Sequence, residues 1–139
     1  MMAGIRAFDT KIELFLRKGL HAYGFRFRLH DRKLPGCPDI VLKSRRAVLF
    51  AHGCFWHRHD CALFKWPRSR ADFWRQKLNR NRANDERADQ RLVQSGWRVG
   101  IVWECALKGP GKLSPDAVLD RCAVWLNSSR SRIEIRGRK

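Results

Sequence analysis

The chain has 139 residues, with 30 Lys or Arg against 13 Asp or Glu, and a formal net charge of +17 at pH 7. This length predicts one domain with a real core, and this charge favours nucleic acid as partner, with a ribosome-like basic protein as the alternative. The chain has neither the ~18 consecutive apolar residues of a membrane span nor a signal-peptide pattern. We therefore expect an intracellular protein without a membrane partner, whose five cysteines are ligands or free thiols.

The first half of the chain predicts one helix and then three strands. Thr10 and Glu13 fit a capping box, and apolar residues at helical spacing predict a helix over residues 10–23. Alternating or continuous apolar runs predict three strands. These strands cover residues 25–30, 39–42 and 47–50.

The second half predicts a long charged helix, a strand and a last helix. Ser69 can cap a helix that ends near residue 95, and Ser114 followed by a proline opens a helix that ends near residue 126. Between them, residues 97–103 predict a strand that continues to residue 105. Residues 1–127 therefore predict one domain, and the polar, basic residues 128–139 are consistent with a disordered tail. The order of elements indicates an α/β sandwich around a mixed sheet of at least four strands.

The segment 51–61, AHGCFWHRHDC, follows the third predicted strand and is rich in metal-binding side chains. Cys54, His59 and Cys61 fall within eight residues, and Cys105 lies at the end of a separate strand. Three thiolates and one imidazole form a set typical of closed structural zinc sites. The alternative is that Cys54 and Cys105 are small buried hydrophobic residues and that His59 lies on the surface.

Other polar residues near this segment suggest phosphodiester chemistry. Asp39 follows a proline at the start of a strand, where a carboxylate can hold Mg²⁺, although local sequence alone favours an ordinary Pro-Asp turn. His52 and His57 could move a proton near such a metal, or could be surface residues. Asp85 on the long helix could orient one of these histidines, or could be a solvated charge.

Aromatic residues are concentrated in the same segment and just after it. They are Phe55, Trp56, Phe64, Trp66, Phe73 and Trp74. Phe55 and Trp56 lie on a polar loop, which favours stacking on bases or wedging between them. Core packing competes with this interpretation for Phe64, Trp66 and Phe73. Cys122 falls on the apolar side of the last helix and is expected in the core.

Four segments carry a resemblance to a known family. They read LPGCPDIVL, AVLFAHGCFWHRHDC, FWRQKLNRNRANDER and GWRVGIVWECAL. Together they resemble the very-short-patch repair (Vsr) endonucleases over residues 6–107. The resemblance implies a variant of the PD-(D/E)-x-K nuclease fold: a three-layer, restriction-endonuclease-like α/β fold with a central mixed β-sheet flanked by helices and a structural zinc site.

The resemblance also implies roles for single residues. Asp39 matches the acid that binds the catalytic Mg²⁺, together with the backbone carbonyl of Ala51, where the family usually has Thr or Asp. His52 matches an active-site histidine, His57 matches the general base, and Asp85 matches the acidic partner of that base.

Three further sets of residues match the family. Glu13 matches the active-site glutamate on the first helix, beside its possible capping role. Cys54, His59, Cys61 and Cys105 match the structural Zn²⁺ ligands. Phe55, Trp56 and Trp74 match the aromatic residues that enter the DNA stack.

The function that the resemblance implies is Mg²⁺-dependent nicking of one DNA strand next to a T:G mismatch left by deamination of 5-methylcytosine. The substrate would be double-stranded DNA. The enzyme would be a monomer in the bacterial cytoplasm, associated with the nucleoid and linked functionally to a cytosine-5 DNA methyltransferase and to mismatch-repair proteins. Two alternatives stay open: a nuclease of the same fold with another DNA target, and a non-catalytic zinc protein that reads distorted DNA.

Overall fold

The computed structural model describes residues 3–138, with side-chain environments from residue 11 onward. Eight helices and strands follow one another along these residues, with 3₁₀ turns after β2 and β4. They are α1 Ala3–Ala22, β1 Arg28–Leu29, β2 Ile40–Leu42, β3 Ala47–His52, α2 Ala71–Gln94, β4 Arg98–Trp103, α3 Pro115–Leu126 and β5 Arg132–Ile135. No helix within residues 3–138 is both long and apolar enough to cross a membrane.

The five strands form one mixed sheet in the order β1-β2-β3-β4-β5. β1 and β2 pair antiparallel, as do β2 and β3, whereas β3, β4 and β5 run parallel. β3 and β4 are buried almost throughout, as expected of central parallel strands. The expectation of a mixed sheet with at least four strands is confirmed.

Helices cover both faces of the sheet. α1 and α3 pack on the face formed by Ile40, Leu49 and Val102, which belong to one buried cluster. Leu92 of α2 packs on the opposite face, in a second cluster with Val48 and others. Because successive side chains of a strand point to opposite faces, each central strand contributes to both clusters. The result is the predicted three-layer α/β fold.

The ends of two helices differ from the predictions. α1 begins at Ala3, so Thr10 lies inside the helix and the predicted capping box with Glu13 is wrong. At the start of α2, Arg70 has left-handed backbone angles and no side chain caps the helix, so the prediction for Ser69 is also wrong. The prediction for α3 is confirmed, because Ser114 Oγ accepts a hydrogen bond from the backbone of Ala117.

Strand lengths also differ from the predictions. Only Arg28–Leu29 of the predicted first strand pairs in the sheet, and β3 extends two residues further than predicted, to His52. The predicted continuation of the fourth strand is a 3₁₀ turn at Glu104–Ala106. The extension of β3 matters for the site, because it carries Ala51 and His52 to the edge of the sheet within a regular strand.

The C-terminal residues are ordered, against the expectation of a disordered tail. Arg132–Ile135 forms β5 and pairs with β4, and Ile135 is fully buried. Glu134 accepts a hydrogen bond from Trp103 Nε1 at 2.9 Å. These tertiary contacts compensate for a segment whose composition resembles that of disordered chains. The folded unit therefore extends beyond residue 127.

Gly100, in the middle of β4, allows close packing between the sheet and α3. A Cβ atom at this position would lie 2.5 Å from Leu49 Cδ2 and 3.0 Å from a ring carbon of Trp125. Trp125 is fully buried at the centre of this layer. The absence of a side chain at Gly100 thus makes room for the largest residue of the core.

Candidate active site and metal centre

A cleft of about 550 Å³ opens where α1, the loop before β2, the end of β3 and α2 meet. It is lined by all six residues predicted for the catalytic site. They are Glu13, Asp39, Ala51, His52, His57 and Asp85. The fold brings these residues together from five separate segments of the chain.

Asp39 is held at the cleft by the main chain of β3. It directly precedes β2, and the pairing of Ile40 with Leu49 places it beside the end of β3. Its Oδ2 accepts a hydrogen bond from the backbone N–H of Ala51 at 2.7 Å. The carboxylate of Asp39 is therefore fixed at the start of β2, next to the main chain of β3. The methyl group of Ala51 is buried in the core, so this position contributes main-chain atoms to the cleft.

His30 was not predicted from the sequence, and it lies beside Glu13 and Asp39 in the cleft. Its Nε2 lies 2.9 Å from the Glu13 carboxylate, and its backbone N–H donates to the Asp39 carbonyl at 3.2 Å. The possible ligand atoms of Glu13, His30 and Asp39 lie within 4.8 Å of one another. The signal that could have found His30 is the hairpin, because Leu29 pairs with Ile40 and so brings the next residue to Asp39.

The two predicted active-site histidines form a stacked pair. The ring centroids of His52 and His57 are 3.7 Å apart, with planes inclined by 16°. Burial, and then the charge of His57, lower the pKa of His52 well below its ordinary value. His52 is therefore neutral at physiological pH. It can offer a hydrogen bond but does not carry a positive charge.

His57 has the partner that was predicted for it. Its Nδ1 lies 2.6 Å from Asp85 Oδ2, a length typical of a strong charge-assisted hydrogen bond. Because the carboxylate accepts, Nδ1 carries the proton and Nε2 is the nitrogen that can take up another. Asp85 belongs to α2, so the long helix sets the orientation of this imidazole.

A second cluster of donors contains the four predicted zinc ligands. Their ligand atoms all lie within 4.8 Å of one another. His59 Nδ1 is 3.6 Å from Cys54 Sγ and 3.6 Å from Cys105 Sγ. Zn–S and Zn–N bonds of ordinary length at tetrahedral angles separate sulfur and nitrogen ligands by about 3.5 Å. These two sulfur–nitrogen distances match those of a tetrahedral site for a soft metal ion.

Without a cation, burial disfavours the charged forms of Cys54, Cys105 and His59. It raises the pKa of the Cys54 and Cys105 thiols and lowers that of His59 to about 4. A bound divalent ion would stabilise the thiolates and coordinate the neutral imidazole. The chemistry of the set therefore fits a structural metal site that holds the loop in place.

Residues around the donor cluster tie it to the rest of the fold. The ring of His59 stacks on Trp103, with centroids 3.8 Å apart and planes inclined by 8°. Glu104 accepts a hydrogen bond from the backbone of Cys54 at 3.0 Å, and the backbone of Gly137 donates to Cys105 Sγ at 3.3 Å. The C-terminal segment after β5 thus closes one side of the cluster.

The predicted DNA-contacting aromatics form one group on the loop and the start of α2. Phe55 lies 5.1 Å from Trp56 and 5.4 Å from Trp74, measured between ring centroids, and Trp56 lies 5.5 Å from Trp74. The group is half-buried. Asn81 of α2 donates to the carbonyl of Trp56 at 3.0 Å, which fixes the loop on the helix. Core packing does not account for Trp66 and Phe73, whose side chains are exposed.

The fold and the site define a class of protein. A cleft lined by carboxylates and imidazoles, at the end of the central strands of a restriction-endonuclease-like sheet, is suited to phosphodiester hydrolysis with a divalent metal. The cluster of four metal-ligand side chains beside it and the positive charge of the chain are consistent with an enzyme that acts on nucleic acid.

Comparisons with known proteins identify the family. A family model described as DNA mismatch endonuclease Vsr matches residues 1–63. The chain is 47% identical to the DNA mismatch endonuclease Vsr of Escherichia coli K12, over 90% of this chain and 80% of that protein. It is 50% identical to the type II nicking enzyme V.XorIIP of Xanthomonas oryzae pv. oryzae, over 81% of this chain and 83% of that protein.

A further relative is V.NmeAIP, a type II nicking enzyme of Neisseria meningitidis, which is 42% identical over 78% of this chain and 77% of its own length. The chain therefore belongs to the Vsr family of DNA mismatch endonucleases and is an endonuclease. The predicted resemblance is confirmed.

Proposed function

We propose that this endonuclease nicks one strand of double-stranded DNA next to a T:G mismatch and depends on Mg²⁺. The observation that carries the proposal is the convergence of Glu13, Asp39, His57 and Asp85 on one cleft, next to a loop with clustered aromatic rings. The names of the E. coli relative and of the family model support a mismatch substrate. The names of other relatives, which are nicking enzymes, support cutting of one strand.

The acidic side of the cleft would hold the catalytic cation. Carboxylate and carbonyl oxygens are the ligands that Mg²⁺ prefers, and Asp39, Glu13 and the main chain of Ala51 supply them. Bound there, Mg²⁺ would polarise the scissile phosphate and lower the pKa of a water molecule. A backbone carbonyl at Ala51 makes no demand on the side chain, so alanine is compatible with this role.

The histidines would handle the proton and the phosphate. His57 Nε2 would accept a proton from the attacking water, since Nδ1 is committed to Asp85 at 2.6 Å. The imidazole of His52 would donate a hydrogen bond to the phosphate or the leaving oxygen, and it would do so in its neutral form because its pKa is lowered. Their stacking at 3.7 Å keeps both rings in one orientation.

The loop between β3 and α2 would have two roles: it would distort the DNA, and it would hold the structural metal that stabilises the protein. Phe55, Trp56 and Trp74 would enter the base stack beside the mismatch, where a mispaired step is easier to open than a paired one. Zn²⁺ held by Cys54, His59, Cys61 and Cys105 would fix the loop that presents these rings. The zinc would thus be structural, and the reactive metal would lie at Asp39.

The proposal extends to the setting of the enzyme. The cleft and the donor cluster are both built from one chain, which supports a monomer as the active form. We place it in the bacterial cytoplasm at the nucleoid, in repair of deaminated 5-methylcytosine together with mismatch-repair proteins. A cytosine-5 DNA methyltransferase encoded beside it would support this setting.

A nicking assay with three duplexes tests the function. We expect Mg²⁺-dependent nicking of a T:G duplex, and little cutting of other mismatches or of a paired duplex. Equal cutting of all three would contradict the mismatch proposal and favour another DNA target. The names of the type II nicking enzymes among the relatives keep that second candidate open.

Asp39→Asn separates catalysis from binding. The amide oxygen can still accept the hydrogen bond from Ala51, which is 2.7 Å long in the native protein, while the negative charge is lost. We expect nicking to fall about 100-fold or more with the fold and DNA affinity retained. Asp116→Asn, on the exposed first turn of α3, is the matched control. Unchanged nicking by Asp39→Asn would favour a cation site elsewhere, and binding without any nicking by the native protein would favour the non-catalytic alternative.

A further inference from the structure

The aromatic group at the loop continues beyond the three rings that the proposed function uses. The ring of Phe64 stacks against Phe55 at 6.1 Å, Trp66 lies 5.0 Å from Phe64, and Phe73 lies 5.2 Å from Trp74. Trp66 is 39% exposed and Phe73 is 43% exposed. These contacts are mostly edge-to-face, and Trp66 and Phe73 lie at the two ends of the series. Large rings that are left in water in this way are a typical feature of a binding surface.

Arginine side chains accompany both exposed rings. The guanidinium carbon of Arg75 lies 5.3 Å from the ring centroid of Trp66, and that of Arg70 lies 4.3 Å from Phe73. Arg58 also lies over Trp66, at 5.9 Å. Rings flanked by cations on a chain of net charge +17 match a ligand with flat bases and anionic phosphates better than an apolar peptide.

The distances place these rings within reach of DNA that is held by the other three. Centroid separations of 6.1 and 5.0 Å put the ring of Trp66 at most about 11 Å from that of Phe55. Successive nucleotides of one strand are spaced by about 3.4 Å, so this span covers about three of them. A DNA strand that is unpaired next to Phe55 would therefore reach Trp66 within a few nucleotides.

We propose that Trp66 and Phe73 form a second stacking site, which takes unpaired nucleobases of the strand displaced beside the mismatch. Arg70 and Arg75 bind the phosphates of the same nucleotides. This site rests on the proposed function for the position of the DNA, but its ligand is an unpaired strand, not the mismatch itself. It would hold the distorted duplex open after the first three rings have entered the stack.

Binding measurements without Mg²⁺ test the site, because no cleavage interferes. The probes are a T:G duplex and a 12-nucleotide single strand, followed by fluorescence anisotropy. We expect Trp66→Ala combined with Phe73→Ala to weaken binding of both probes about 5-fold or more. Trp66→Phe keeps a ring and should retain most of the affinity. 2-Aminopurine placed in the 12-nucleotide single strand should be quenched by the native protein and stay brighter with the double variant.

Salt dependence distinguishes stacking from phosphate contacts. The slope of log K against log salt concentration should be unchanged in the ring variants and should decrease by about one unit in Arg75→Ala. Val124→Ala removes an apolar side chain that is 63% exposed on α3, in the layer opposite α2, and should change nothing. Zinc content and Tm equal to those of the native protein show that a variant is folded.

The outcomes separate this site from the proposed function. Native affinity and native 2-aminopurine quenching in the Trp66 and Phe73 variants would overturn the second stacking site, even if T:G nicking is observed. Conversely, the native protein could fail to nick T:G duplexes while Trp66→Ala weakens single-strand binding. These two results together would refute the mismatch proposal and support the stacking site.

Discussion

The hydrogen bond of 2.6 Å between His57 and Asp85 determines which imidazole nitrogen can act as a base. Asp85→Asn should therefore reduce nicking, because the amide can donate to Nδ1 and favour the wrong tautomer. We expect His57→Ala to lower the single-turnover rate about 100- to 10,000-fold and Asp85→Asn to lower it less.

The double variant of these residues provides the decisive comparison. Groups that act as a unit show strongly non-additive effects, so His57→Ala with Asp85→Asn should be no slower than His57→Ala alone. Multiplicative effects on the rate would show that Asp85 acts independently of His57, for instance through α2. Asn84→Ala, at the neighbouring position of α2, serves as the control for the helix.

The buried imidazole of His52 predicts acid sensitivity. Its pKa lies well below the ordinary value in the folded protein, whereas the unfolded chain takes up the proton near pH 6.5. The contribution of neutral His52 to the free energy of unfolding is therefore fully present above about pH 6.5. It is lost progressively as the pH falls below that value.

Thermal unfolding between pH 7 and 5 measures this effect. His52→Asn cannot titrate, so its free energy of unfolding should depend less on pH, by up to one proton or about 1.4 kcal/mol per pH unit. His21→Asn, which replaces a histidine whose side chain is exposed in the folded protein, is the matched control. An identical slope for His52→Asn would mean that His52 is not held neutral by burial.

At the scale of elements, β5 makes the C-terminal segment part of the core. Ile135 is fully buried and pairs with Val102 of β4. Ile135→Ala should cost about 2–5 kcal/mol through lost burial and the remaining cavity, which is about 6–20 °C in Tm for a domain of this size. Val124→Ala should stay within about 0.5 kcal/mol. Native stability of Ile135→Ala would restore the prediction of a disordered tail.

The case of β5 shows which features sequence patterns can and cannot predict. β3 and β4 carry continuous apolar runs, so their central place in the sheet follows from the residues alone. Arg132–Ile135 alternates charged and apolar residues in a basic segment, and its order depends on pairing with β4 and on the Trp103–Glu134 hydrogen bond. Such tertiary contacts leave no local signal.

The same distinction holds for the site. Three of the possible zinc ligands lie within eight residues, so their spacing alone predicts the cluster. His30 is distant in sequence from Glu13 and Asp39, and only the pairing of β1 with β2 brings it near them. The backbone N–H of Gly137 donates a hydrogen bond to Cys105 Sγ. Gly137 belongs to the C-terminal segment whose composition predicted disorder.

At the scale of the whole molecule, the donor cluster joins three parts of the chain. Cys54, His59 and Cys61 belong to the loop after β3, Cys105 to the turn after β4, and Gly137 closes the cluster from beyond β5. Loss of the metal should therefore loosen the aromatic loop, the end of β4 and the C-terminal segment together, because structural zinc sites supply a large share of the folding energy of small units.

Cys61→Ser tests this coupling. We expect zinc content to fall from one per chain to well below it, Tm to drop by 10 °C or more, and nicking to be lost although Asp39 and His57 are intact. Cys37→Ser is the control for zinc content and Tm, since this thiol is exposed and lies outside the donor cluster. Full zinc content in Cys61→Ser would contradict the ligand assignment.

Removal and return of the metals separates the two proposed ions. After chelation, Mg²⁺ alone should not restore nicking, because Mg²⁺ prefers oxygen ligands and cannot replace a soft ion among three sulfurs. Zn²⁺ alone should restore Tm without nicking, and both ions together should restore activity. Recovery with Mg²⁺ alone would mean that the loop keeps its structure without zinc. The thiols of Cys54 and Cys105, whose pKa burial raises, would then be ordinary core residues.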